Sequence, residues 1–246
     1  MKLPADWISP QWPAPACVKS FITTRNGGFS RGAHTSFNPG LRCDDDPVAV
    51  QANRDLLAEH LPQPPRWLHQ VHGTQVVTAD ALTTEADADA SVARQRGTVC
   101  AVMIADCMPV LLCDEAGSVV GAAHAGWRGL SAGVLENTVR AMGVDAGRLL
   151  AYLGPAIGPA AFEVGTEVRD AFVQHDSAAA AAFTAKSDGK WLADLFMLGR
   201  QRLAACGVRQ VYGGGDCTVA DPQRFYSYRR DKITGRMAAL IWLDGV

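Results

Sequence analysis

Two kinds of hydrophobic pattern alternate along the chain, and together they predict a mixed α/β protein. Short runs of apolar residues, bounded by glycine, proline or polar residues, are typical of strands. Longer segments whose apolar residues recur every three or four positions are typical of amphipathic helices. The predicted strands cover residues 17–24, 66–80 (interrupted at Gly73), 98–106, 109–114, 118–125, 148–155, 209–214 and 237–243. The predicted helices cover residues 47–61, 130–143, 166–175 and 192–207.

Residues 81–97 fit neither pattern, because their few apolar residues lack the spacing of a core-facing element. We predict that this segment is a surface loop with some helix. The sequence contains no internal repeat, no block of like charges and no glycine–serine linker that would divide it. We therefore expect one mixed α/β domain over residues 1–246.

Composition and charge narrow the class of protein. The chain has 246 residues, of which 48% are hydrophobic and 20% charged, and its formal net charge is −2. A net charge this small produces no overall electrostatic attraction to nucleic acid or anionic membranes. No apolar run is long enough to span a bilayer, and prolines and an aspartate interrupt the N-terminal segment where a secretion signal would be apolar. We predict a cytoplasmic protein without nucleic-acid or membrane partners.

The seven cysteines do not form a recognisable framework. Their number is odd and no CxxC pair occurs, which argues against both a disulfide-stabilised fold and a structural zinc ribbon. Most of them are expected to behave as small buried apolar residues.

Three short motifs place reactive side chains at the ends of apolar runs, where a rigid sheet can hold them beside a cleft. They are "HQVHG" with His69 and His72, "ADCMP" with Asp106 and Cys107, and "HAGWRG" with His124. Two imidazoles and a thiolate, from His72, Cys107 and His124, form a three-ligand set that suits catalytic zinc. Two alternatives stay open: the residues are buried core side chains, or Cys107 is the nucleophile of a hydrolase and a histidine its base.

Arginines form a second candidate group. Arg25, Arg128, Arg229, Arg230 and Arg236 lie in glycine-rich or tyrosine-rich motifs, and arginine binds phosphate or carboxylate through paired, charge-assisted hydrogen bonds. We predict a phosphate-binding role for Arg25, Arg128, Arg229 and Arg230. The alternative is that these arginines are solvated surface charges.

Taken together and in order, seven motifs resemble the YfiH-type laccase-domain family over nearly the whole chain. The resemblance implies an α/β (α+β) fold in which mixed β-sheets are sandwiched between helices in an α/β/β/α arrangement, similar in shape to the cysteine-hydrolase domain of a bacterial toxin. It also implies a zinc site at His72, Cys107 and His124. The motifs are "TTRNGG", "WLHQVHG", "ADCMPVLL", "HAGWRG", "GPAIGP", "FEVG" and "YSYRRDKITGR".

The resemblance implies three different activities. Members of the family have been named multicopper polyphenol oxidases, purine nucleoside phosphorylases with adenosine deaminase activity, and peptidoglycan-editing proteins. The chain has six histidines and no His-x-His pair, so it cannot assemble a classical four-copper cluster. A single copper at the His/Cys site remains an alternative to zinc, because copper binds such ligands more tightly.

Purine chemistry fits the residue inventory better. An open zinc site lowers the pKa of a bound water, as deamination at C6 of adenine requires. Asp106 and His69 are alternative candidates for moving the proton. We predict a zinc-dependent phosphorylase that converts adenosine, inosine or methylthioadenosine and phosphate into the free base and ribose 1-phosphate, with adenosine deaminase as a side activity. A copper-dependent polyphenol oxidase, a cysteine hydrolase that edits peptidoglycan precursors and a non-catalytic binding protein are the alternatives.

Overall fold

A computed structural model describes residues 3–245 and shows a mixed α/β fold. The strands are β1 Val18–Ile22, β2 Leu68–His69, β3 Val76–Thr78, β4 Ala86–Asp87, β5 Ala90–Ala93, β6 Cys100–Ile104, β7 Met108–Asp114, β8 Val120–Ala125, β9 Leu149–Leu153, β10 Glu163–Gly165, β11 Phe183–Ala185, β12 Lys190–Ala193, β13 Gln210–Gly213 and β14 Met237–Leu243. The α-helices are α1 Pro47–Ala58, α2 Trp127–Ala132, α3 Val134–Met142, α4 Thr166–Val173, α5 Leu195–Ala205 and α6 Tyr228–Asp231.

Four sheets organise these strands. The largest has six strands in the order β13-β9-β7-β8-β5-β3, with parallel pairs at its two edges and antiparallel pairs between them. A three-stranded antiparallel sheet has the order β1-β14-β6. A second three-stranded sheet, β10-β12-β11, and the parallel pair β2-β4 complete the set.

The two principal sheets pack face to face, and helices cover their outer faces. Val110 and Leu112 of β7 point into a core shared with α3 and α5, whereas Leu111 and Cys113 point into a second core shared with β1, β6 and β14. On the far side of the smaller sheet, Leu57 of α1 packs in a third core. The predicted α/β/β/α arrangement is therefore confirmed, because alternate residues of a central strand enter different apolar layers.

Side-chain caps explain where two predicted helices begin. Asp46 precedes α1 and accepts a hydrogen bond from the backbone N–H of Val48, with Pro47 at the first helical position. Asp194 precedes α5 and accepts from the N–H of Met197. Both caps satisfy N–H groups that the first helical turn leaves without partners.

The structure corrects two predictions and adds one sheet that the sequence did not indicate. Residues 81–97 are not a surface loop: they contain β4 and β5, and residues 88–93 are buried. The predicted helix over residues 130–143 is interrupted at Gly133, whose φ of 107° ends α2 before α3 begins. The sheet β10-β12-β11 was not predicted, because its strands of three or four residues are too short to show a period.

None of the helices within residues 3–245 is long and apolar enough to cross a membrane.

Candidate metal centre and cavity

The three reactive motifs converge on one point of the fold. The potential ligand atoms of His72, Cys107 and His124 all lie within 4.8 Å of one another. The Cys107 Sγ is 3.8 Å from Nε2 of His72, and the two imidazole rings are 4.9 Å apart between centroids. Among the described residues, no other group of three or more His, Cys, Asp or Glu side chains converges in this way.

Strand register brings Cys107 and His124 together. Residues 105–107 connect β6 of the smaller sheet to β7 of the larger one, so Cys107 lies where the chain passes between sheets. In the antiparallel pair β7–β8, Pro109 is opposite His124 and Met108 is opposite Ala125. Cys107 therefore comes directly before a strand whose first residues pair with the end of β8.

His72 lies in the loop between β2 and β3, and its backbone is left-handed with a φ of 60°. Asp106, beside Cys107, has a φ of 92°. Non-glycine residues in this region are strained by about 1–3 kcal/mol, and such residues concentrate at functional sites when other contacts hold them. Hydrogen bonds to carboxylates hold both segments.

A buried carboxylate, Asp89, holds the loop of His72 and the ring of His124. Its Oδ1 accepts from Nδ1 of His124 at 2.8 Å and from the backbone N–H of His72 at 3.0 Å. Its Oδ2 accepts from the N–H groups of Val71 and Gly73 at 3.1 and 2.6 Å. Asp89 lies in the segment predicted to be a surface loop, so the sequence analysis missed it.

These contacts shift the pKa values of the buried groups. Burial raises the pKa of Asp89, but hydrogen bonds from His124 and from the loop backbone outweigh it and hold that pKa below its usual value. Burial likewise opposes ionisation of Cys107 and His124. Their mutual attraction wins, lowering the pKa of the thiol and raising that of the imidazole. Each of the two groups therefore favours the charged form of the other.

The donor set and its packing fit a transition metal. Two imidazoles and one thiolate make a set of three ligands, the number that catalytic zinc sites take from the protein while a fourth position is left for water or substrate. Gly126 packs so closely that a Cβ there would be 2.8 Å from the Cys107 Sγ and 3.2 Å from the His72 ring. The cluster can therefore hold one metal ion, and a glycine at position 126 is needed for the ligands to approach one another.

The cluster opens into a cavity of about 460 Å³, a size typical of small-molecule sites. Aromatic side chains and guanidinium groups line it, and of the acidic residues in the described range only Asp106 does so. The lining thus combines apolar surface with a strong excess of positive charge. The aromatic residues are Trp127, Phe162 and Tyr228, and the arginines are Arg42, Arg54, Arg128, Arg229 and Arg236.

His69 lies in the same cavity, and its ring is paired with Asp87. Nδ1 of His69 is 2.7 Å from Oδ1 of Asp87, and the parallel pair β2–β4 places these two residues side by side. The side chain of His69 is 43% exposed. A carboxylate therefore orients the ring while the side chain stays accessible in the cavity lining.

Asp106 also lines the cavity, but the protein already engages both of its oxygens. Oδ1 accepts from the hydroxyl of Thr218 and Oδ2 from the backbone N–H of Arg229, both at 2.6 Å. Its backbone carbonyl accepts from the N–H of Ile157. These contacts join the residue after β6 to α6 and to the two loops that contain Ile157 and Thr218.

The structure separates the four arginines predicted to bind phosphate. Arg128 and Arg229 line the cavity. Arg25 is not among the lining residues: its guanidinium donates to the carbonyls of Thr35 and Pro222 and stacks on Tyr226. Arg230 also lies outside, bonded to the carbonyls of Thr218 and Phe225 and to Asp231.

Arg128 differs from the other arginines of the cavity lining in the partners of its guanidinium group. Within residues 3–245 its guanidinium makes no hydrogen bond or ion pair, and it lies 4.4 Å from the centre of the Trp127 ring. Arg42 and Arg54 also line the cavity but were missed, because no motif marks them. Arg42 pairs with Glu85 at 2.8 Å, and Arg54 donates to the carbonyl of Pro39 and stacks on Trp67.

The chain is similar to known proteins over almost its whole length. Residues 19–244 match the family described as multi-copper polyphenol oxidoreductase laccase. The chain is 54% identical over 239 residues to a purine nucleoside phosphorylase of Pseudomonas aeruginosa, covering 97% of this chain and 98% of that protein. It is 53% identical over 240 residues to the purine nucleoside phosphorylase YfiH of Escherichia coli, covering 96% and 98%.

Two solved structures share the fold. A Neisseria meningitidis protein has a TM-score of 0.96 and 54% identity, covering 98% of this chain and all of that one. YlmD from Geobacillus stearothermophilus has a TM-score of 0.89 and 30% identity, covering 100% and 98%.

Proposed function

The chain belongs to the multi-copper polyphenol oxidoreductase laccase family, as its motifs predicted, and from this membership we propose that it is a zinc-dependent purine nucleoside phosphorylase. Its proposed substrates are adenosine, inosine or methylthioadenosine together with phosphate, and its products are the free base and ribose 1-phosphate. Adenosine deaminase is the proposed side activity. The observation that carries the proposal is that one cavity contains the His–Cys–His cluster, the His69–Asp87 pair and the free guanidinium of Arg128.

Substrate binding follows from the cavity lining. A purine ring is flat and apolar on both faces, and Trp127, Phe162 and Tyr228 offer aromatic surface for it. Phosphate is a dianion near neutral pH, and Arg128 and Arg229 present guanidinium groups with the paired donors that it needs. We propose that these two arginines hold phosphate against the ribose.

In phosphorolysis an oxygen of phosphate forms a bond to C1′ while the bond from C1′ to the purine nitrogen breaks, and the departing base takes up a proton. His69 is the proposed donor of that proton, because Asp87 orients its ring and its partly exposed side chain lines the cavity. Asp106 is the alternative donor, although Thr218 and Arg229 already occupy its oxygens.

His72, Cys107 and His124 are the proposed zinc ligands. When bound, zinc supplies a Lewis acid beside the cavity. The chain itself orients the ligands through Asp89 and the proton donor through Asp87. Copper at the same three ligands would be the basis of a polyphenol oxidase. Three protein ligands are enough for one copper ion but too few for the several ions of a multicopper cluster.

A second candidate function is favoured by one contact. Cys107, His124 and Asp89 lie in the order nucleophile, base and orienting carboxylate, as in cysteine hydrolases. In that case the thiolate would attack an amide carbon of a peptidoglycan precursor, the amine would leave with a proton from His124, and water would hydrolyse the resulting thioester. A metal ion bound to Cys107 would block this reaction.

Product analysis separates these functions. Adenosine with phosphate should give adenine and ribose 1-phosphate, and adenosine alone should slowly give inosine, both measured by chromatography on zinc-loaded protein. A chelator should abolish these reactions if zinc is required. If Cys107 is instead the nucleophile of a hydrolase, the chelator should increase hydrolysis of a peptidoglycan precursor. Oxidation of a phenolic substrate only after copper loading would instead support the oxidase.

A further inference from the structure

Asp89 has a set of contacts that a purely structural aspartate does not need. It lies between β4 and β5, its side chain is fully buried, and four donors surround the carboxylate. One donor is the ring of His124, and the other three are consecutive backbone N–H groups of residues 71–73. The backbone carbonyl of Asp89 also accepts from the N–H of His124 at 2.7 Å.

These contacts act on two ligands at once. Since Asp89 accepts from Nδ1 of His124, that nitrogen holds the proton and Nε2 of the ring is left for a metal. The same oxygen accepts from the N–H of His72, whose left-handed backbone is unfavourable without such support. The two histidines come from different segments, His72 from a loop and His124 from β8, and both hydrogen-bond to Asp89.

We propose that Asp89 is a positioning residue that sets the affinity and geometry of the metal site by holding His72 and His124 in a preformed arrangement. This inference rests on the metal site of the proposed function but not on the phosphorylase reaction. It implies that the three ligand side chains are already close together before a metal binds, so that metal binding needs little rearrangement of the chain.

The neighbouring Asp87 provides a matched control. It lies two residues earlier on the same segment and also accepts from Nδ1 of a histidine, His69. However, its side chain is 75% exposed, and its partner is not a member of the metal cluster. Substitution at position 87 therefore alters an Asp–His pair without touching the ligands.

The experiment compares Asp89→Asn, Asp89→Glu and Asp87→Asn with the wild type. Zinc affinity is measured by competition with a chromophoric chelator, and the visible spectrum of the cobalt-loaded protein reports ligand geometry and the thiolate-to-cobalt band. Asp89→Asn should weaken zinc binding about 10- to 100-fold, the usual effect of losing an outer-shell partner, and should alter the cobalt spectrum. Asp89→Glu should recover part of the zinc affinity. Asp87→Asn should have the zinc affinity and the cobalt spectrum of the wild type.

Zinc affinity of Asp89→Asn within twofold of the wild type would overturn the proposal, even if the melting temperature fell. Equal losses in Asp89→Asn and Asp87→Asn would overturn it as well. If the Asp89 variants do not fold, nitrogen-15 NMR of histidine in the zinc-loaded wild type decides: the proposal requires a proton on Nδ1 of His124 and metal on Nε2. None of these measurements depends on phosphorylase activity. Failure of the proposed phosphorylase function can therefore be distinguished from failure of the proposal for Asp89.

Discussion

Gly126 lies against Cys107 so closely that even one added carbon would have no space, since an ideal Cβ would be 2.8 Å from the Sγ. The backbone of Gly126 is not left-handed, with a φ of −66°, so any residue could adopt it. The glycine is required by the approach of the ligands and not by its own backbone conformation. Adding a single methyl group at position 126 therefore tests how closely the metal site is packed.

Gly126→Ala should displace Cys107 or His72 and so weaken zinc binding at least tenfold, because ligand positions must be held within a few tenths of an ångström. Zinc content after dialysis and competition with a chelator measure the effect. Gly215→Ala is the control, since a Cβ at Gly215 would have no atom within 4 Å and the backbone there is not left-handed. Equal zinc affinity in both variants would contradict the packing argument.

His124→Ala should remove zinc and nucleoside turnover together. The substitution also deprives buried Asp89 of one hydrogen bond, so we expect a loss of about 1–3 kcal/mol in the free energy of unfolding. Three backbone donors still hold Asp89, and the protein should melt cooperatively. Metal analysis, turnover and calorimetry provide the three measurements. Retention of full zinc content and activity would show that His124 is only a buried strand-end residue.

His69→Ala should lower kcat by about 10²–10⁴-fold, the usual contribution of a general acid or base, while zinc content stays at the wild-type level. Asp106→Asn should have the smaller effect on kcat and should lower stability, because both oxygens of Asp106 already accept hydrogen bonds. Steady-state kinetics and metal analysis of both variants provide the comparison. The reverse order of effects would assign the proton to Asp106.

Arg128→Gln should raise the KM for phosphate about 10- to 100-fold, equivalent to the loss of one charge-assisted hydrogen bond. The KM for the nucleoside should change much less. Arg25→Gln is the matched control: it removes a guanidinium that contacts backbone carbonyls outside the cavity, so it should lower stability and leave the KM for phosphate unchanged. An unchanged phosphate KM in Arg128→Gln would exclude this arginine from phosphate binding.

Asp114 provides a prediction for pH dependence away from the site. Although burial raises its pKa, hydrogen bonds from the hydroxyl and N–H of Ser118 and the N–H of Val119 bring the pKa below its usual value. A depressed folded-state pKa means that the stabilisation is present above the unfolded pKa of about 3.9 and is lost as the pH falls through the folded value.

Asp114→Asn should therefore unfold more easily than the wild type at pH 7, by about 1–3 kcal/mol, with the difference shrinking below about pH 4. Urea denaturation at pH 7, 5 and 3 measures this difference. Asp188→Asn, in an exposed loop, should match the wild type throughout. A difference for Asp114→Asn that stays constant down to pH 3 would contradict the assigned role of the carboxylate.

The periodicity of apolar residues by itself determines much of the fold. The strands around residues 98–125 and the helices α1, α4 and α5 bury continuous apolar faces, and a buried face leaves a regular pattern in the sequence. His72, Cys107 and His124 could be nominated because each follows an apolar run, and strand ends meet at the edge of a sheet. The local pattern was sufficient wherever burial alone decides which residue type is allowed.

The tertiary structure decided what depends on partners distant in sequence. Asp89 looks like a surface residue among alanines and other acidic residues, and only donors from residues 71–73 and His124 make its burial favourable. Arg25 and Arg128 both lie beside glycines, yet only the fold turns one toward carbonyl groups and the other into the cavity. A charged side chain is stabilised by whichever partners surround it in space, and its own sequence neighbours do not specify them.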